Sequence, residues 1–108
     1  MKVSYQQAAS DDLVRQFRYY LVTVNLPEVA IRFRTAVRQT VQSLRFHPLA
    51  GPRYRSSSSQ LQNLRTWAVT GFEAIRIYHL VDGDNLRIVR ILHGKRDVKR
   101  ILEGEVGR

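Results

Sequence analysis

The chain has 108 residues, 44% of them hydrophobic, and no cysteine. That is one domain's worth of sequence, able to bury a core without staples; the missing thiols exclude a disulfide framework, a thiolate metal site and a cysteine nucleophile. Lys and Arg number 18 against 9 Asp and Glu, a net charge of +9, which points to an anionic partner, either nucleic acid or an acidic protein.

A β-prone start at residues 2–5 precedes a segment in which Leu13, Phe17, Tyr20, Leu21 and Val24 recur at helical spacing. This predicts a helix over residues 8–23, with Asp11 and Asp12 in its first turn near the positive end of the dipole. Asn25-Leu26-Pro27-Glu28 breaks and restarts the helical path. Pro27 fits a first helical turn, and Asn25 is expected to cap it better than Leu26. Val29, Ala30, Phe33, Val37, Val41 and Leu44 form the next stripe, and His47-Pro48 ends it near residue 46. Two amphipathic helices with so short a link make an antiparallel hairpin. Residues 48–63, with Gly51-Pro52, Arg53-Tyr54-Arg55 and a serine run, read as a long functional or flexible loop. Strands are predicted over 64–69, 74–81 and 86–92, the last two joined by the turn Asp82-Gly83-Asp84-Asn85. Asp97 is expected to cap a short helix over 98–102, which Gly104 closes. The order β-α-α-β-β-β with a short C-terminal helix predicts an α+β domain, an antiparallel sheet packed against a helical hairpin. The uncovered sheet face and the long loop are the expected partner surfaces. No apolar run approaches a membrane span and no secretory signal is visible, so the expectation is a cytoplasmic protein with no membrane association.

Chemistry-bearing motifs are sparse. His47, His79 and His93 lack metal-ligand spacing, and no glycine-rich phosphate loop or nucleophile elbow occurs; no metal and no cofactor are expected. Arginine interleaved with aromatics is the stronger signal, because guanidinium groups grip phosphate while rings stack on bases. Arg65 and Trp67 share one strand face, and Arg76 and Tyr78 share another. The expected contact set for a target or partner is Arg55, Arg65, Trp67, Arg76, Tyr78, Arg90, His93 and Arg96. An RNA-cleaving site would draw on Arg53, Arg65, Arg76, Tyr78 and His93, which supply cations and acid–base groups. Trp67 and Tyr78 serve equally well as core residues. Arg90 interrupts an otherwise apolar strand, so it must be paired or exposed, since an unpaired buried charge costs several kcal/mol.

From Gly71 onward the chain carries a strand with Tyr78, the acidic-glycine turn Asp82-Gly83, and a strand ending Arg90-Ile91-Leu92-His93-Gly94-Lys95-Arg96-Asp97. This resembles the ParE branch of the ParE/RelE toxin superfamily. Asn25-Leu26-Pro27-Glu28, Arg32-Phe33 and Pro48-Leu49-Ala50-Gly51-Pro52 resemble the family's helix restart and the loop after the second helix, so the likeness covers most of the chain. Arg76 stands where an apolar residue is usual, and His79 where arginine is common. The resemblance implies one toxin domain over residues 1–108, the toxin half of a type II toxin–antitoxin module of the kind that supports plasmid stabilisation or a stress response. It implies a cognate acidic ParD-like antitoxin in a hetero-oligomer, laid as a disordered or helical segment along apolar and basic grooves. ParE-like members inhibit DNA gyrase, block replication and arrest growth; RelE-like members cleave mRNA on the ribosome. No tyrosine follows Tyr78, and the Lys-x-Lys pattern of ribosome-dependent members is only echoed by Arg53 and Arg55. The gyrase reading is therefore preferred, with a ribosome-dependent mRNA endoribonuclease and a detoxified binding relative as alternatives.

Overall fold

In the computed structural model the described residues are 1–106, with side chains described through Gly104. Strand β1 (Lys2–Tyr5) leads into helix α1 (Gln7–Arg18). The helical path continues through a widened π turn, Tyr19–Thr23, so it ends where the apolar spacing predicts. Asn25 then takes φ +58°, a left-handed conformation that asparagine tolerates better than most side chains. It therefore reverses the chain and does not cap the second helix: Leu26 occupies the cap position of α2 (Pro27–Phe46). Pro27 opens that helix as expected. On its inner face α2 buries Ala30, Phe33, Val37, Thr40, Val41 and Leu44, and it stops ahead of Pro48. A second correction concerns Asp11 and Asp12. Because α1 begins at Gln7, no acid lies in its first turn, and Asp12 is instead carried round to the buried side.

Strands β2 (Arg65–Val69), β3 (Phe72–Asp82) and β4 (Asn85–His93) form the predicted antiparallel meander. The sheet order is β1-β4-β3-β2. β1 joins the far edge in parallel with β4, from Lys2↔Asn85 to Tyr5↔Ile88, so the sheet is mixed. The helical hairpin supplies the long crossover that a parallel pair requires. Between β3 and β4 the register shifts: Tyr78 faces Arg90, but His79 faces Ile88. Val89 is thus the extra residue of a β-bulge, which re-aims the side chains around it.

Each face of the sheet carries a core. On the hairpin side Phe33, Val37, Val41 and Leu44 of α2 pack against Ile75, Ile77, Leu86, Ile88 and Ile91. Thr40 ties the two layers together: its hydroxyl donates to the Ala36 carbonyl and accepts the Thr70 N–H. On the opposite side Tyr78, Val89 and Leu92 meet Leu61 and Leu64 from the long loop and Leu102 from helix α3 (Val98–Val106). The second face is therefore covered, not open. Burying each such leucine contributes about 1.5–3 kcal/mol relative to exposure, enough to hold a short helix that would not persist alone. Asp97 Oδ1 accepts the Arg100 N–H at 3.3 Å, the predicted cap. Gly104, expected to close the helix, lies inside it, because α3 runs on to Val106. Among the described residues no helix is long and apolar enough to cross a membrane, and no cluster of three or more side chains could hold a metal.

Candidate interaction surface

Alternation along the strands sorts the sequence-predicted residues into three places. The first is the edge of β4. Strand β1 stops pairing at Ile88, whose carbonyl accepts the Gln6 N–H. Beyond that point Asp12 of α1 takes over the edge. Its Oδ2 accepts the Ile91 N–H at 3.0 Å and Arg90 Nε at 2.7 Å, and its Oδ1 accepts Arg90 Nη2 at 2.8 Å. Arg15 Nη1 adds a longer contact at 3.3 Å. The Asp12 side chain is 1% exposed and that of Arg90 12%, so this is a buried bidentate pair. Arg90 is thus paired, as its place in an apolar strand demands. Sequence reasoning missed Asp12 as the partner, although it falls on the same helical stripe as Ala9, Gln16 and Tyr20.

The second place is the α3 side of the sheet, where Arg76 and Tyr78 lie. Arg76 Nε donates to Thr66 Oγ1 at 2.9 Å. Tyr78 is buried and packs edge-on against Tyr54, ring centres 5.9 Å apart. Burial pushes the Tyr78 phenol above its usual range, opposed by a hydrogen bond with Thr66 and the charge of Arg76; it stays protonated near neutrality.

The third is the hairpin side. Arg65 Nη1 donates to the Gly51 carbonyl at 2.8 Å, and Trp67, 41% exposed, lies beside Gly51. Arg53 bridges Arg65 through the backbone and shares a cavity with Arg65 and His79. Sequence reasoning left His79 out of the sites, yet its parity with Ile75 and Ile77 marks it as a polar residue on a buried face. At the opposite end of this side, His93, Lys95 and Arg96 line a groove of about 370 Å³ with Gln16, Tyr19 and Tyr20. His93 Nδ1 accepts the Lys95 N–H at 3.1 Å, so His93 also helps shape the turn after β4. Arg55, exposed in the long loop, joins none of these groups.

The five residues an RNA-cleaving site would use are thus divided. Arg53, Arg65 and His93 belong to the hairpin side, Arg76 and Tyr78 to the α3 side, and His93 sits at the other end of the sheet from Arg65. What the surface does offer is apolar area among cations. The distal end of the hairpin exposes Tyr19, Leu21, Val22, Val24 and Leu26, with Val22 at 68%, and Ile31 follows at 52%. Arg15, Arg18, Arg32 and Arg34 stand among them, exposed. Monomeric proteins seldom leave so much apolar side chain together unless a partner covers it. A second groove of about 420 Å³ runs between α2 and the β2–β3 turn, lined by Ile31, Arg32, Ala36 and Phe72 among others.

Comparison with known proteins is consistent with this architecture. A family described as the ParE toxin of the type II toxin–antitoxin system parDE matches residues 3–98. Among solved structures, a chain of the chromosomal ParDE toxin–antitoxin system from P. aeruginosa superposes with a TM-score of 0.69 at 22% identity, covering 86% of this chain and 95% of that one. A YoeB/ParE toxin from Agrobacterium tumefaciens superposes with a TM-score of 0.54 at 14% identity, covering 86% and 98% respectively. No curated protein sequence matches.

Proposed function

We propose that this chain, which belongs to the ParE toxin family of type II toxin–antitoxin systems, is a single toxin domain over residues 1–108 that arrests growth by binding DNA gyrase rather than by cleaving RNA. The observation that carries the reading is the dispersal of Arg53, Arg65, Arg76, Tyr78 and His93 over two sheet faces. Phosphodiester cleavage needs a base, an acid and cationic groups within hydrogen-bond reach of one phosphate. Tyr78, buried and held protonated, is a poor participant. Binding a protein target needs only a stable surface of matching shape and charge. Both gyrase and ribosome place the toxin in the cytoplasm.

The same reading includes neutralisation by a cognate acidic, ParD-like antitoxin in a hetero-oligomer. Its support is the exposed apolar end of the hairpin among arginines, in a chain of net charge +9. An acidic amphipathic segment would cover the apolar side chains and speed association through charge.

The test is a DNA supercoiling assay with purified toxin, run alongside primer extension on ribosome-bound message after induction. Inhibited supercoiling with intact message is the expected result. Cut message with undisturbed supercoiling would replace gyrase binding with endoribonuclease action. Unimpaired growth on expression in a sensitive host would mark the chain as a detoxified relative. Co-purification from the native operon should yield a stoichiometric acidic partner.

A further inference from the structure

The hairpin side of the sheet also holds a cationic cavity. Residues 48–53 fold back over β2 and β3 and enclose a cavity of about 200 Å³. Its lining brings together Arg53, Arg65, Asn63 and His79, with Pro48, Leu49 and Val81 as apolar walls. No acidic residue lines it among those described. The contrast with Arg90 is direct, since that guanidinium has a carboxylate on it.

The walls are held by backbone. Thr66 N–H donates to the Pro52 carbonyl at 3.1 Å, and Tyr54 N–H donates to the Leu64 carbonyl at 2.7 Å. Gly51, at φ +85°, lies so close to β2 that a Cβ there would stand 2.3 Å from the Thr66 carbonyl oxygen. One arm of the Arg65 fork is engaged on the Gly51 carbonyl, which fixes the plane of its guanidinium. At the floor His79 is 0% exposed, and neither ring nitrogen has a hydrogen-bond partner of good geometry. Buried polar atoms are rarely left so. The Pro48 carbonyl acts on the ring, and the sealed imidazole lies beneath two guanidinium groups and an amide, placed to sense charge in the cavity without touching its contents.

We propose that this cavity binds a phosphate group, gripped by Arg53, Arg65 and Asn63 above the buried His79 imidazole. Tetrahedral geometry favours phosphate over carboxylate, because donors come from two segments, Arg53 and Asn63 of the loop and Arg65 of β2, rather than from a single fork. Binding is linked to protonation. In the unliganded protein burial lowers the affinity of His79 for a proton, and the charge of Arg65 lowers it further, while the Pro48 carbonyl opposes both. Arg53 is the other charge lining the cavity. A phosphate held by Arg53 and Arg65 offsets their positive charge above His79 and so favours uptake of a proton by the imidazole. Affinity should then strengthen as pH falls through the His79 titration.

The experiment follows the three histidine ring signals of the full chain by NMR against pH, at constant ionic strength, with and without inorganic phosphate. The expected result is saturable binding that raises the midpoint of His79 alone, His47 and His93 serving as internal controls because neither lines the cavity. Arg53 is exposed, so Arg53→Gln should leave the fold intact while weakening phosphate about tenfold, the loss expected for one charge-assisted hydrogen bond. Arg65→Gln should weaken it at least as much, with the far-ultraviolet spectrum checking that the chain is folded. A nucleoside 5′-monophosphate and the matching nucleoside identify the source of the phosphate. Binding of the nucleotide but not the nucleoside, with the same His79 response, indicates a phosphate monoester. Binding of inorganic phosphate alone indicates the free anion. An unmoved His79 midpoint at saturating phosphate, or equal shifts at all three histidines, would overturn the proposal.

Discussion

Arg90 on β4 and Arg65 on β2 occupy the same sheet and meet opposite fates. Arg90 donates through two nitrogens to Asp12, which also closes the β4 edge by accepting the Ile91 N–H. Arg65 leans on a backbone carbonyl and faces a cavity without a carboxylate, shared with Arg53. The first arrangement is closed: charge, fork and edge amide are satisfied inside the chain. The second keeps its positive potential for something outside the chain. A basic composition therefore does two separate jobs here, and a residue's prominence in the family-like motif does not say which. Arg90, the start of the stretch that suggests the family, is built into the fold's framework, whereas Arg65, in a less distinctive segment, lines a cavity.

The sharpest way to break this contrast is Asp12→Ala. It would strand Arg90 at 12% side-chain exposure and leave the Ile91 N–H without its acceptor, so urea unfolding should show a loss of about 3–5 kcal/mol. That is a large share of the roughly 5–15 kcal/mol typical of a domain. The combined Asp12→Leu, Arg90→Leu variant should lose less than the sum of the single changes, because apolar replacement of a buried pair is often near neutral. A single-variant loss below about 1 kcal/mol would show that the pair behaves like a surface bridge.

Gly51→Ala probes the wall of the second site. The added Cβ meets the Thr66 carbonyl at 2.3 Å, and φ +85° is strained for any L side chain, so a loss of about 1–3 kcal/mol is expected in the same measurement. An unchanged midpoint would mean that the loop relaxes away from β2.

Smaller again is the pH dependence. Burial holds the folded-state His79 below its ordinary value of 6.5, so the unfolded chain takes up a proton first. The stability this residue supports is complete above pH 6.5 and falls as pH drops below it. Melting temperature should decline through that window in the parent chain and decline less in His79→Gln. Parallel profiles would remove His79 from the account.

The smallest effect is expected for Arg53→Gln. An exposed cation with no acid beside it in the cavity should change stability by no more than about 0.5 kcal/mol, against the several kcal/mol expected when Arg90 loses its carboxylate. Equal losses at the two arginines would erase the distinction between a closed and an open cluster.

Much of this fold was legible along the chain. The α2 stripe, the Pro27 start, the His47-Pro48 stop, the Asp82-Gly83 turn and the Asp97 cap are each set by a few neighbouring residues, and each lies where expected. What was misread depended on distant segments. Asn25 turned instead of capping because the chain had to reverse there. β1 paired in parallel with β4, a choice that no local signal in residues 2–5 encodes. The face expected to be open was closed by α3, whose apolar side found Leu61, Leu64 and Tyr78. Of the candidate sites, the residue types were readable but not their grouping.

The sequence by itself determined the helices, the meander, the turns and a strongly cationic surface, because periods of 3.6 and 2 residues and the demands of glycine, proline and asparagine act over a few positions. Only the tertiary structure decided which arginine would be neutralised. Asp12 and Arg90 lie 78 residues apart and meet because α1 crosses the edge of β4 where β1 ends. Arg53 and Arg65 meet His79 because the loop after α2 folds back on β2. Electrostatic pairing acts through space over a few ångströms, so the fold, and not the order of residues, sorts these cations into those that hold the protein together and those left facing a cavity.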